Sequence, residues 1–350
     1  MSQIRGITED DPKGILRTGW SSIIEDYAIV GGWSSKGKIL VVGDATGGLY
    51  AFEGTSGRLV WEKHRLHKKG LLSIAIHPTG DTLVTGGQDG NILFWNVKDG
   101  EPVHSIELGR GWVEHMCWSP DGQKLIVSMS RSVLAYNKDF QEIWRFEDHR
   151  STVSALAWSG NQEVATACYG QVTFLDATAG TINQRLEWQG SMVSMVLSPD
   201  GDVVACGSQD NTVHFWRRST GQDSMMQGYP TKPTNLAFDH TGTLLATGGS
   251  DTVLVWSFAD GGPEGTSPGE LTFHIKPISA LTFANNRRRL ASGGRDGAVL
   301  VWSLQSDGDG GVSGAAIVKE SVSELLWRPD GRALAALDAG GGVTVWRVGD

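Results

Sequence analysis

The sequence predicts an all-β chain, a closed ring of four-stranded antiparallel blades, with eight blades expected and seven as the alternative. Three observations predict it. An aromatic or large apolar residue closes a strand-like run eight times, at intervals of roughly forty residues. About twenty residues before each mark stands another apolar strand followed by a polar turn. No stretch between them has the periodicity of an amphipathic helix.

The closing marks are, in order, Phe52, Trp95, Tyr136, Leu175, Trp216, Trp256, Trp302 and Trp346. They end the runs GGLYAF, GGQDGNILFW, RSVLAY, YGQVTFL, GSQDNTVHFW, GGSDTVLVW, GGRDGAVLVW and GGGVTVW, whose alternation of apolar and other residues is that of a half-buried strand. The earlier strands include SIAIHPTG, EHMCWSPDG, SMVLSPDG, NLAFDHTG and SELLWRPDG. Each ends at a glycine (Gly80, Gly122, Gly201, Gly242, Gly331), as a turn requiring positive φ demands. A four-stranded unit of this kind cannot bury both faces alone, whereas units packed face to face around an axis can. That arrangement is a β-propeller.

The last unit, GGGVTVWRVGD, supplies a third strand and no chain for a fourth. The segment KGILRTGW near the amino terminus is expected to supply it, so that an N-terminal strand completes the last blade and no sheet edge is left open. Residues 1–12 are expected to be a flexible terminus, and 13–350 one propeller domain without a linker.

The formal net charge of −9 argues against a protein that coats nucleic acid. No apolar run approaches the roughly 20 residues that span a bilayer, and the first residues lack the apolar core of a secretory signal. Cys117, Cys168 and Cys206 lie inside apolar strands and form no CxxC pair, which fits reduced thiols and a cytoplasmic address. His64 and His67 form the one close histidine pair, but Lys63, Arg65, Lys68 and Lys69 surround them with positive charge, so no metal is expected. No P-loop, GxSxG elbow, Rossmann fingerprint or HExxH occurs, and neither catalysis nor a cofactor is expected.

From about Lys13 to Val348 the repeats resemble the WD-repeat (tryptophan-aspartate repeat) β-propellers. The resemblance implies hydrogen-bonded tetrads of His, Ser or Thr, Asp and Trp. One repeat carries His274, Ser292, Asp296 and Trp302, and another His67, Thr85, Asp89 and Trp95; these are structural groups, not catalytic pairs. It also implies that the connections leading into first strands lie on the face where partners bind. Trp112 and Trp188 fall in such connections and are expected to be partner anchors, with Glu114, Lys68, Lys69 and Lys232 adding charge selectivity. The expected function is a non-catalytic scaffold or adaptor that binds proteins through that face and rim, as a monomer within a larger complex. The alternative is a quinoprotein-like oxidoreductase or small-molecule-binding propeller, since LYAFEGTSGRLVWE, and more faintly FLDATAGTINQRL, look like quinoprotein repeats.

Overall fold

A computed structural model describes residue 8 and residues 11–349. The terminus expected to be flexible, residues 1–12, lies for the most part outside the described residues. From Lys13 to Val348 the chain is strand after strand, with one short 3-10 turn at Ala259–Gly261.

Each repeat runs outward from the axis. The first begins with Ala28–Trp33 innermost, continues through Ile39–Asp44 and Leu49–Glu53, and ends at the rim with Leu59–Lys63, each antiparallel to the last. The innermost strands touch in sequence around the axis: Ala28–Trp33, Leu71–Ile76, Val113–Trp118, Ala155–Ser159, the latter half of Ile182–Leu197, Asn235–Phe238, Ile278–Phe283, Val322–Trp327, and back to Ala28–Trp33. Second strands are covered on both faces by neighbouring repeats, so they are buried along their length instead of alternating: Ile39–Asp44, Thr82–Gly87 and Ala333–Asp338 are almost wholly buried. The core therefore lies between repeats. Val42, Tyr50 and Phe52 of the first, for example, pack against Ala335, Leu337 and Val343 of the last.

Of the eight blades expected and the seven held as the alternative, the sheet count matches the alternative. Among the described residues the strands form seven hydrogen-bonded sheets. The reason is that two successive repeats, over residues 155–226, share one six-stranded sheet. Ile182–Leu197 runs on without a break, pairing through Ile182–Ser191 with Glu163–Asp176 and through Met192–Leu197 with Val203–Ser208.

The ring closes at its seam through the amino-terminal strand. Leu16–Ile23 pairs antiparallel with Gly342–Val348, from Leu16 opposite Val348 to Ile23 opposite Gly342. Lys13 and Gly14 pair with Ala315 and Gly314, adding a fifth strand to the preceding sheet. A few residues thus bind two adjacent sheets.

Rim strands are latched to the next repeat by tryptophan. Trp20, Trp61 and Trp144 donate their indole N–H to the carbonyls of Gly54, Val97 and Ala177 at 3.1, 2.9 and 3.1 Å. Each ring lies over a turn glycine, Gly57, Gly100 or Gly180, with φ of 71°, 71° and 66°. A Cβ there would come within 2.4 to 2.7 Å of the indole, so these glycines are needed both for their backbone and for the space they leave.

Candidate partner-binding face

Because every strand reverses, the connections into first strands and the turns between second and third strands share one end of the ring. The tetrads stand beneath this end. His67 bonds Thr85 Oγ1 through Nε2 and Asp89 Oδ1 through Nδ1, both at 3.0 Å, and Trp95 Nε1 donates to Thr85 Oγ1 at 3.2 Å. His274, Ser292, Asp296 and Trp302 repeat the pattern, with His274 to Ser292 at 2.9 Å and Trp302 to Ser292 at 2.8 Å. Burial alone would push the Asp89 carboxyl up, but the hydrogen bonds from His67 and the Lys68 N–H hold it below the usual range. Burial lowers His274 despite Asp296 beside it.

Elsewhere the same place is filled differently. His149 bonds Thr166 Oγ1 at 2.8 Å and, lacking the aspartate, meets the Arg131 carbonyl at 3.0 Å. Tyr229 links Thr247 and Trp256, both at 2.9 Å.

In the fifth repeat that place belongs to Trp188, and this corrects its expected role as an exposed anchor. Trp188 lies within the strand Ile182–Leu197 and is half-buried. Its ring stacks on His214 at 3.7 Å between centroids, and His214 in turn meets the edge of Trp216 at 4.3 Å. The indole N–H of Trp188 and His214 Nδ1 are buried with no hydrogen-bond partner, and His214 Nε2 faces only the Asp223 carboxylate, at an angle outside hydrogen-bond geometry. Burial pushes the imidazole down to about 4, overriding the Asp223 carboxylate 3.2 Å away.

Trp112, by contrast, is 51% exposed at the start of its strand. Glu114, two residues on, and His115 line a cavity of about 450 Å³ with Ser154, Tyr169 and Ser191 from the next two repeats. Burial raises the Glu114 carboxyl and lowers the His115 imidazole. The sequence reading missed Tyr169, 58% exposed at this same end. Its signal was the Tyr-Gly pair inside YGQVTFL, where Gly170 has φ of 80° and marks the turn.

Lys68, Lys69 and Lys232 are exposed at this end as well. The rest of the basic run is partly neutralised, with Lys63 3.6 Å from Glu101 and His64 3.0 Å from Glu25. Another basic stretch, Arg287 to Arg289, begins in a turn at the opposite end, where Arg288 lies 4.0 Å from the buried Asp239. Among the described residues no three His, Cys, Asp or Glu side chains are grouped to hold a metal, and no helix is long and apolar enough to cross a membrane.

Fold and face together define a repeat β-propeller with a polar, aromatic-studded end. The family model described as outer membrane protein assembly factor BamB matches residues 17–227, and the model described as WD domain, G-beta repeat matches 224–257 and 265–303. The first match spans more than half of the chain, so the chain belongs to that propeller family, and its later repeats are WD repeats.

Autophagy-related protein 16 of Arabidopsis thaliana is 25% identical over 298 residues, covering 80% of this chain and 56% of that protein. WD repeat-containing protein 1 of Xenopus tropicalis is 27% identical, covering 81% and 47%. The chain thus spans about half the length of these relatives. A chain in the crystal structure of a mitotic checkpoint complex matches with a TM-score of 0.66 at 20% identity, covering 80% of this chain and 87% of that one. The computationally designed Ika8 protein matches with a TM-score of 0.79 at 21% identity, covering 96% and 100%. These last two likenesses show the fold.

Proposed function

We propose that this chain is a non-catalytic scaffold that binds partner proteins through the end of the ring bearing Trp112. The observation that carries this is the pairing of two exposed aromatic side chains, Trp112 and Tyr169, with the cavity walled by Glu114 at the same end. Large amphipathic side chains beside a polar pocket are the usual anchors of a protein interface. Lys68, Lys69 and Lys232, exposed at the same end, favour an acidic partner segment. Relatives named as WD repeat-containing proteins, and a neighbour solved within a complex, support a binding role. Three free cysteines suit a reducing, cytoplasmic setting, with the chain a monomer inside a larger assembly. The quinoprotein-like alternative is not favoured.

The test is affinity purification of the tagged chain from its native extract with quantitative mass spectrometry, beside Trp112→Ala and Lys68→Glu/Lys69→Glu variants. A near-stoichiometric partner lost from both variants, with unchanged melting curves, is the expected result. Partner retention in both would overturn the placement of the face. Trp188→Ala does not serve here, because it would open the packing around His214.

A further inference from the structure

The seam holds a second cavity, of about 790 Å³, that the partner face does not use. It lies between the closing strand Leu16–Ile23, the end of the neighbouring rim strand at Ile317, and the last repeat's Asp338, Thr344 and Trp346.

Comparison with the first repeat shows what is missing from it. Residues 44–52, DATGGLYAF, align without gaps with residues 338–346, DAGGGVTVW. In each, one oxygen of the leading aspartate accepts two backbone N–H groups. Asp44 Oδ1 takes those of Thr46 and Gly48 at 3.0 and 2.7 Å, and Asp338 Oδ1 those of Gly340 and Gly342, both at 2.8 Å. Asp44 Oδ2 then accepts the phenolic O–H of the buried Tyr50 at 3.1 Å. In the last repeat Thr344 stands where Tyr50 does. Among the described residues Asp338 Oδ2 accepts no hydrogen bond, and the Thr344 hydroxyl makes none. Asp338 is nevertheless only 3% exposed.

Other repeats fill the corresponding place with Leu93, Leu134, Leu254, Leu300 or His214. Thr173 is equally short, but there Gln171 donates to its hydroxyl at 3.3 Å, and the last repeat has Gly342 in that position. The tetrad is gone too. At the spacing of His274, Ser292, Asp296 and Trp302 this repeat has Val318, Ala336, Gly340 and Trp346, so the Trp346 N–H has no hydroxyl to meet. Of these, Thr344, Gly342 and Val318 line the cavity, where other repeats carry larger side chains.

We propose that the cleft binds a phenolic ring supplied from outside, its hydroxyl donating to Asp338 Oδ2 as Tyr50 donates to Asp44. The volume lies within the range of small-molecule sites, and a carboxylate at the cleft wall with one oxygen lacking a donor favours a hydroxylated ring over a bare one. The phenol comes either from a tyrosine of a partner protein or from a free small molecule. This site does not rest on the partner face at Trp112.

The experiment is an NMR or calorimetric titration of the full chain with p-cresol, toluene, N-acetyl-tyrosinamide and N-acetyl-phenylalaninamide. Each hydroxylated probe that binds should do so at least about tenfold more tightly than its deoxy partner. Binding should vanish in Thr344→Tyr, which fills the cleft from within and should also raise the melting temperature. Should that variant fail to fold, Thr344→Leu, the residue four other repeats carry, serves the same purpose. Tighter binding of the tyrosinamide than of p-cresol identifies a protein tyrosine; the reverse identifies a free phenol. Equal affinity for hydroxylated and deoxy probes, retention of binding in the Thr344 variants, or no binding at millimolar concentration would each overturn the proposal.

Discussion

At the scale of single residues, the fifth repeat buries an imidazole, His214, without a well-placed hydrogen-bond partner. His214 is held neutral to about 4 by burial, whereas in the unfolded chain it takes up a proton near 6.5. Its folded value is the lower one, so its effect on stability is absent above the unfolded value. As pH falls from about 6.5 to about 4, the unfolded state is increasingly favoured, by a total of about 3 kcal/mol. His214→Leu, which installs the residue of four other repeats, should flatten the fall in melting temperature over that window relative to the parent. Identical pH profiles would show that the imidazole is not desolvated as described. The tetrads make the opposite case, because their polar groups are satisfied. Ser292→Ala would leave His274 Nε2 and the Trp302 indole N–H each without a partner and should cost about 1–3 kcal/mol in denaturant unfolding.

At the scale of elements, the Trp-on-glycine latch joins each rim strand it occurs in to the next repeat. Gly100→Ala would place a Cβ 2.7 Å from the Trp61 ring at a positive φ, combining backbone strain with displacement of the indole. A loss of at least about 1 kcal/mol is expected from chemical denaturation. Gly221→Ala is the control, since it shares the positive φ with nothing within 4 Å, and it should cost less. Much of this level was legible in the sequence, since strand alternation and turn glycines are local properties. Trp61 and Trp144 were recognisable as structural from their place in fourth strands. The placement of Trp188 was not, because its spacing from the strand that follows is that of the tetrad histidines His67 and His274. Whether a side chain at that spacing turns inward depends on whether the facing strand offers a ring to stack on, and here it offers His214.

At the scale of the whole molecule, the closing strand carries the integrity of the ring. Removing residues 1–23 exposes the edge of Gly342–Val348 and uncovers Leu16's place in the core shared by the last two repeats. Differential scanning calorimetry should then show a melting temperature lower by more than about 10 °C. An unchanged melt would mean that the ring holds without its seam.

The sequence by itself determined the repeat, the antiparallel four-strand unit and the source of the closing strand, all written in periodicity, while its resemblance to WD repeats implied the tetrads. Only the tertiary structure decided that two repeats share one sheet, that Trp188 points inward while Tyr169 points out, and that the last repeat leaves a cavity beside Asp338. Those outcomes depend on which side chains from distant parts of the chain meet across a face, and on whether a hydrogen-bonding group finds its partner there. Spacing along one strand does not encode them.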